Sequence, residues 1–146
     1  MGAAQRWSAG LAAAWAGALL CIAALAAPAA FATLPAVDAG RVVGRLFAHE
    51  ATLSLVLALL LFVVEQKRVR HAAEAGSASV LSAATLLLLG TVFCTVAGYY
   101  AVQPMMAAAR LGQGPWSFGA LHAVSGGFYA IKIVLVIALA WRFGRV

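Results

Sequence analysis

The segment SFGALHAVSGGFYAIKIVLVIALAW, residues 117–141, is an apolar run long enough to cross a bilayer, yet it contains four polar side chains. These are His122, Ser125, Tyr129 and Lys132. At about 100° per residue they fall within roughly 80° of one another on a helix, so they form a single polar stripe. A lysine at the centre of a membrane costs roughly 2.5–3.5 kcal/mol on insertion scales, so we expect the stripe to face protein or water rather than lipid.

The composition of the whole chain indicates a membrane protein without a soluble domain. Of its 146 residues, 65% are hydrophobic and only 10% are charged, whereas soluble domains have about 25% charged residues. Four spans fit, at about 7–27, 42–64, 80–102 and 118–141, in a single domain that covers residues 1–146. Backbone groups in lipid must be paired within each segment, so we predict an all-α, up-and-down bundle of four transmembrane helices.

The first span has some features of a cleavable secretory signal. Ala30-Phe31-Ala32 has the small-x-small form of a cleavage site. The apolar run before it exceeds the usual 7–15 residues, however, and three further spans follow. We therefore predict an uncleaved first helix.

Polar and helix-breaking residues predict where the other spans end. Asp38 is a plausible N-cap for the second helix, and Gln103 with Pro104 should end the third. Residues 65–79 read as a solvated polar loop. In the fourth helix, small residues recur at every fourth position, namely Gly119, Ala123 and Gly127, and predict close approach of another helix.

The formal net charge of +6 is best explained by membrane topology rather than by nucleic-acid binding, because the basic residues lie at the ends of apolar runs. Four spans put both termini and the 65–79 loop on one side of the membrane. That side has six Lys and Arg residues and the other has three: Arg6, Lys67, Arg68, Arg70, Arg142 and Arg145 against Arg41, Arg45 and Arg110. The positive-inside rule then predicts a multi-pass protein of a bacterial inner membrane with both termini in the cytoplasm.

With this orientation, polar residues from three helices converge in the outer half of the bundle. The predicted polar site consists of Glu50, Tyr99, Gln103, His122, Ser125, Tyr129 and Lys132. Glu50 lies beside a stripe of small residues on the second helix, and its depth is close enough to that of Lys132 for an ion pair. The two groups could meet directly, or through His122 or a water molecule.

Three roles for this polar face remain open from the sequence. It could hold the bundle together or bind a partner, including a second copy of the chain; it could handle an ion or a small molecule of unknown identity; or it could bind haem or copper. For the last role, His122 and His49 are the candidate ligands, although we predict no cofactor. The sequence shows no catalytic or phosphate-binding motif, so we predict a non-enzymatic protein whose main partner is the lipid bilayer.

Several short motifs are shared with a known family. They are Phe31-Ala-Thr-Leu-Pro35, Leu46-Phe-Ala-His-Glu50, Gln103-Pro-Met-Met-Ala-Ala-Ala-Arg110 and Phe118-Gly-Ala-Leu-His-Ala-Val-Ser125. In these motifs and their order, the chain resembles the bacterial domain-of-unknown-function proteins grouped with the vertebrate transmembrane protein 205-like family. The resemblance implies a four-helix membrane protein with an intact first helix and marks Pro104, His122 and Ser125 as family-pattern positions. It implies no activity.

Overall fold

The computed structural model describes residues 2–74 and 81–145, and over these residues it contains helices and no strand. Within these described residues, four helices are long and apolar enough to cross a membrane, namely α1 (Ala3–Thr33), α2 (Ala36–Glu74), α3 (Ala83–Arg110) and α4 (Phe118–Arg145). The all-helical class predicted from the sequence is therefore confirmed, and the chain is a multi-pass membrane protein.

Two of the helices contain a π-helical turn just before a proline. In α1 the turn is Ile22–Ala26 and precedes Pro28, and in α3 it is Val96–Ala101 and precedes Pro104. A proline ring within a helix clashes with the carbonyl four residues earlier, and in both cases that carbonyl lies within the π-helical turn. The wider turn accommodates the ring, so the helix continues. The prediction that α3 ends at Gln103 and Pro104 was therefore wrong.

The connection between α1 and α2 is shorter than the sequence suggested. It consists of residues 34–35, and the amide of Asp38 already donates to the carbonyl of Pro35 at 2.9 Å. Proline suits the start of a helix because its fixed φ is helical and its missing N–H would have no partner there. Asp38 therefore lies in the first turn rather than at the N-cap, and it pairs with Arg41 at 3.0 Å on the surface.

The segment predicted to be a solvated loop, residues 65–79, is helical as far as Glu74. Glu65 is only 2% exposed. It accepts hydrogen bonds from Arg68 at 2.8 and 2.9 Å and from Ser82, the N-cap residue of α3. Because these contacts satisfy the carboxylate, the helix can continue through a polar stretch. Residues 75–79, and Val80 where the third span was expected to begin, lie outside the described residues.

The apolar core occupies the half of the bundle nearest the termini. All four helices contribute fully buried side chains to it, among them Trp15, Leu19, Leu61, Leu88 and Leu139. These residues come from the N-terminal halves of α1 and α3 and from the C-terminal halves of α2 and α4. This half of the bundle is therefore closely packed, and the predicted polar residues lie mainly in the other half.

The tight contact that glycine allows lies away from the predicted small-residue seam. A Cβ atom added at Gly119 or Gly127 would meet nothing within 4 Å, so this face of α4 is open in the monomer. A Cβ at Gly98 would instead overlap the side chain of Phe128. The tight contact between α3 and α4 therefore depends on a glycine of α3, within its π-helical turn.

Candidate functional site

A cavity of about 580 Å³ lies among the four helices in the half of the bundle away from the termini. Its lining includes Ala23, Ala27 and Phe31 of α1, Gly40, Val43, Gly44, Phe47 and Glu50 of α2, Cys94, Thr95, Gly98, Tyr99, Gln103, Met106 and Arg110 of α3, and Phe118, His122, Ser125, Gly126, Tyr129, Ala130, Lys132 and Ile133 of α4. All seven residues of the predicted polar site are in this set, although their role in binding remains a prediction. The volume is within the range of about 300–1,000 Å³ that is typical of small-molecule sites.

The deep end of the cavity contains a buried ion pair. Lys132 Nζ donates to both carboxylate oxygens of Glu50 at 2.8 Å, and the two residues are 3% and 5% exposed. This is the direct arrangement among the three that helix geometry had left open. Since each charge faces its partner at hydrogen-bond distance, the floor of the cavity has no net charge.

A second set of hydrogen bonds continues from the ion pair to α1. Ser54 donates to Glu50 and accepts a hydrogen bond from the indole N–H of Trp15 at 3.0 Å. The chain Trp15–Ser54–Glu50–Lys132 therefore links α1, α2 and α4 through side chains that are all nearly inaccessible. Such a connected network satisfies each buried polar group and fixes the relative rotation of the helices.

The tyrosine of the polar stripe contacts both the ion pair and α1. The ammonium of Lys132 lies 4.7 Å from the centre of the Tyr129 ring, and this ring makes a T-shaped contact with Phe47, with ring centres 5.1 Å apart. The Tyr129 hydroxyl donates to the carbonyl of Leu19 at 3.0 Å. Ammonium groups are attracted to aromatic faces, so the ring stabilises the buried charge that Glu50 also neutralises.

The two hydroxyl groups of the stripe bond to carbonyls at the irregular parts of the neighbouring helices. Ser125 Oγ donates at 2.6 Å to the carbonyl of Gly98, inside the π-helical turn of α3. The acceptor of Tyr129, Leu19, lies three residues before the π-helical turn of α1. Within a membrane, side-chain hydroxyls can supplement the backbone hydrogen bonds next to an irregular turn, and the carbonyl of Leu19 also accepts from the amide of Ile22. Ser125 and Tyr129 are therefore engaged in structure.

The remaining polar groups of the cavity have no hydrogen-bond partner among the described residues. They are Tyr99 and Gln103, which are half-buried, and Arg110 and His122, which are exposed. His122 stacks on Phe118 with ring centres 5.8 Å apart, and the guanidinium of Arg110 lies 4.6 Å from the centre of the same ring. These side chains leave N–H and O–H donors available to a molecule in the cavity.

The structure separates the two histidines considered as metal ligands. His49 is exposed and does not line the cavity, whereas His122 does. Among residues 2–74 and 81–145, no group of three or more His, Cys, Asp or Glu side chains has a geometry suited to a metal ion. A metal or haem at the site would depend on His122 without His49.

Two contributors to the site were missed from the sequence. Trp15 lies in the middle of an alanine-rich apolar helix, and its indole N–H donates to Ser54. A tryptophan at such a position needs a hydrogen-bond partner for its N–H, which is how the sequence could have indicated its role. Arg110 was counted only as a topology charge, because nothing in the sequence shows that it lies over Phe118. Both residues acquire their roles through contacts with other helices.

Comparison with known proteins gives one family. The profile of a domain of unknown function, DUF4149, matches residues 10–114, which is well over half of the chain and includes most of α1 together with all of α2 and α3. No curated protein and no solved structure matches the chain significantly. The matched region ends just before α4, which carries the polar stripe.

Proposed function

The chain belongs to the DUF4149 family, a domain of unknown function, and we propose that it is a non-enzymatic membrane protein that binds a small molecule in the cavity between its four helices. The observation that carries this proposal is the combination of a ligand-sized cavity with four accessible or half-buried polar side chains in its lining that make no hydrogen bond to the described residues. Sites for small molecules typically have mostly apolar walls with a few polar groups that orient the ligand.

A purely structural role accounts for only part of the arrangement. Hydrogen bonds between helices account for the burial of the ion pair, Ser54, Trp15 and the two hydroxyls of α4. His122, by contrast, is exposed, lines the cavity and makes no hydrogen bond to the described residues, so its imidazole is not part of these links between helices. We therefore expect His122→Ala to change stability by less than about 1 kcal/mol, whereas a large loss would favour the structural alternative.

The proposal can be tested by filling the cavity with a larger side chain. A Cβ at Gly44 would meet nothing within 4 Å and this residue lines the cavity, so Gly44→Phe should occupy its space without disturbing the helix contacts. Native mass spectrometry of protein extracted gently from its own membrane should show a bound small molecule in the unmodified chain. Gly44→Phe should lose at least most of that species.

Gly17→Phe is the matched control, because Gly17 is also open but lies away from the cavity. It should retain the bound species at the level of the unmodified protein. A bound species that survives Gly44→Phe, or its absence from every sample, would contradict the proposal. Iron or copper in the same spectra, lost in His122→Ala, would favour the metal or haem alternative instead.

The location and relatives of the protein are part of the same proposal. The excess of basic residues on the side of the termini supports a bacterial inner membrane with both termini in the cytoplasm, so that the cavity lies in the outer half. The shared motifs from Phe31 to Ser125 support a relation to the transmembrane protein 205-like proteins. The open faces at Gly119 and Gly127 support association with a second copy of the chain.

A further inference from the structure

The charges near the cavity are distributed unevenly between its floor and its rim. At the floor, Glu50 and Lys132 neutralise each other. Asp38, the other described carboxylate in this half of the bundle, is paired with Arg41. The guanidinium of Arg110 lines the cavity and has no acceptor among the described residues, so the rim has one unit of unpaired positive charge.

The neutral polar groups around the rim favour the same kind of ligand. Gln103 and Tyr99 make no hydrogen bond to the described residues and can each donate one, as can the imidazole of His122. A single guanidinium with its two parallel N–H groups matches a carboxylate, which has one charge and two oxygens. The rim therefore suits the head group of a monoanion.

The length of the cavity matches that of one leaflet of a bilayer. Along α4 its lining extends from Phe118 to Ile133, a rise of about 22 Å at 1.5 Å per residue. Half of a bilayer with its head groups is about 20–22 Å thick. The walls between the two ends are largely apolar, with Phe31, Phe47 and Ile133 among them.

We infer that the ligand is a long-chain carboxylate, with its carboxyl group at Arg110 and its apolar chain extending between the helices toward the Glu50–Lys132 pair. This inference rests on the proposed function, since it names the class of molecule that the cavity binds. The head group lies at the end of α3, where a membrane protein meets the interface, and the chain remains at the depth of the lipid tails. Because the Glu50–Lys132 pair has no net charge, the end of the ligand that lies beside it needs no charged group.

The test uses the full chain in nanodiscs of phosphatidylcholine alone and a polyene fatty acid whose fluorescence rises when its chain leaves water. The matching long-chain alcohol serves as a neutral competitor. The fatty acid should bind in a saturable way, and Arg110→Gln should weaken its binding about tenfold, which corresponds to about 1.4 kcal/mol. Arg110→Lys keeps the charge but not the two parallel N–H groups, so its affinity should lie between those of the unmodified chain and of Arg110→Gln. The affinity of the alcohol should change by less than about twofold in either variant.

Arg45→Gln is the matched control, because Arg45 is an exposed cation in the same half of the bundle and does not line the cavity. It should leave the binding of the fatty acid unchanged. Equal affinities for acid and alcohol, or an Arg110→Gln variant that binds like the unmodified chain, would overturn the carboxylate inference and leave small-molecule binding intact. If neither compound binds and the unmodified chain also carries no small molecule in native mass spectrometry, both proposals fail.

Discussion

At the scale of single residues, the main feature is an ion pair placed where charges are expensive. Glu50 and Lys132 are almost completely buried in a helix bundle that crosses a membrane. Such a pair adds little net stability relative to apolar residues of similar size, but removing one partner leaves an isolated charge. Ser54 is important for the same reason. It donates a hydrogen bond to Glu50 and accepts one from the indole N–H of Trp15, so neither buried group lacks a partner.

The contribution of the ion pair to the free energy of unfolding can be tested by comparing a single variant with a double variant. Lys132→Met should lower the free energy of unfolding by about 3–5 kcal/mol, because Glu50 loses its cation while remaining buried. The double variant Glu50→Leu with Lys132→Met should recover most of this loss. Thermal unfolding in a mild detergent gives the comparison, with Arg70→Met as the control at an exposed cation. Equal stabilities of Lys132→Met and the control would show that the pair is not coupled in this way.

At the scale of elements, one proline and one glycine of α3 determine how α3 and α4 meet. The π-helical turn before Pro104 places Gly98 against Phe128 and directs its carbonyl to Ser125. The side chain of Ser125 can reach that carbonyl because Gly98 has no Cβ to hold the two helices apart. The wall of the cavity therefore depends on an irregular turn rather than on a regular small-residue seam.

This dependence predicts different effects of alanine at two glycines. Gly98→Ala should destabilise the bundle by about 1–3 kcal/mol, because the added methyl group overlaps Phe128. Gly127→Ala should be neutral or slightly stabilising, because its Cβ meets nothing and alanine favours helix. Unfolding midpoints of the two variants in the same detergent provide the measurement. The idea would be refuted if both variants unfolded at the same temperature as the unmodified chain.

At the scale of the whole molecule, the bundle is packed at one end and open at the other. The apolar core lies toward the termini, and the cavity lies toward the connections between α1 and α2 and between α3 and α4. The cavity therefore lies on the side of the membrane opposite the termini. The orientation of the chain determines which compartment the rim of the cavity faces.

Reporter fusions test that orientation. A fluorescent protein that matures only in the cytoplasm should be bright when fused after Val146, because six basic residues lie on the side of the termini and three on the other. Alkaline phosphatase, which needs an oxidising compartment, should be active when inserted at residues 112–114 and inactive at the C-terminus. The reverse pattern would place the cavity on the cytoplasmic side. Reversing three of the basic charges on the side of the termini, with Arg6→Glu, Arg142→Glu and Arg145→Glu, should weaken the preference for cytoplasmic termini.

The sequence by itself determined the number and nature of the spans and the polar stripe of α4. Apolar length and helical periodicity are local properties, so they can be read without knowing which helix packs against which. For the same reason the depth of Glu50 relative to Lys132 could be counted along each helix. The simple rules failed at two places. Around Glu65 a contact with Ser82 of another helix satisfies the carboxylate, and at Pro104 a π-helical turn accommodates the proline ring, so both helices continue.

Only the tertiary structure decided how the four helices are rotated against one another. That rotation joins Glu50 to Lys132 without an intermediary, brings the N–H of Trp15 to Ser54, and places Arg110 over Phe118. It also places small residues of α2 in the wall of the cavity instead of against another helix, since a Cβ at Gly40 or Gly44 would meet nothing within 4 Å. These features depend on pairs of residues far apart in the chain, and helical periodicity specifies the face of each helix but not its partner.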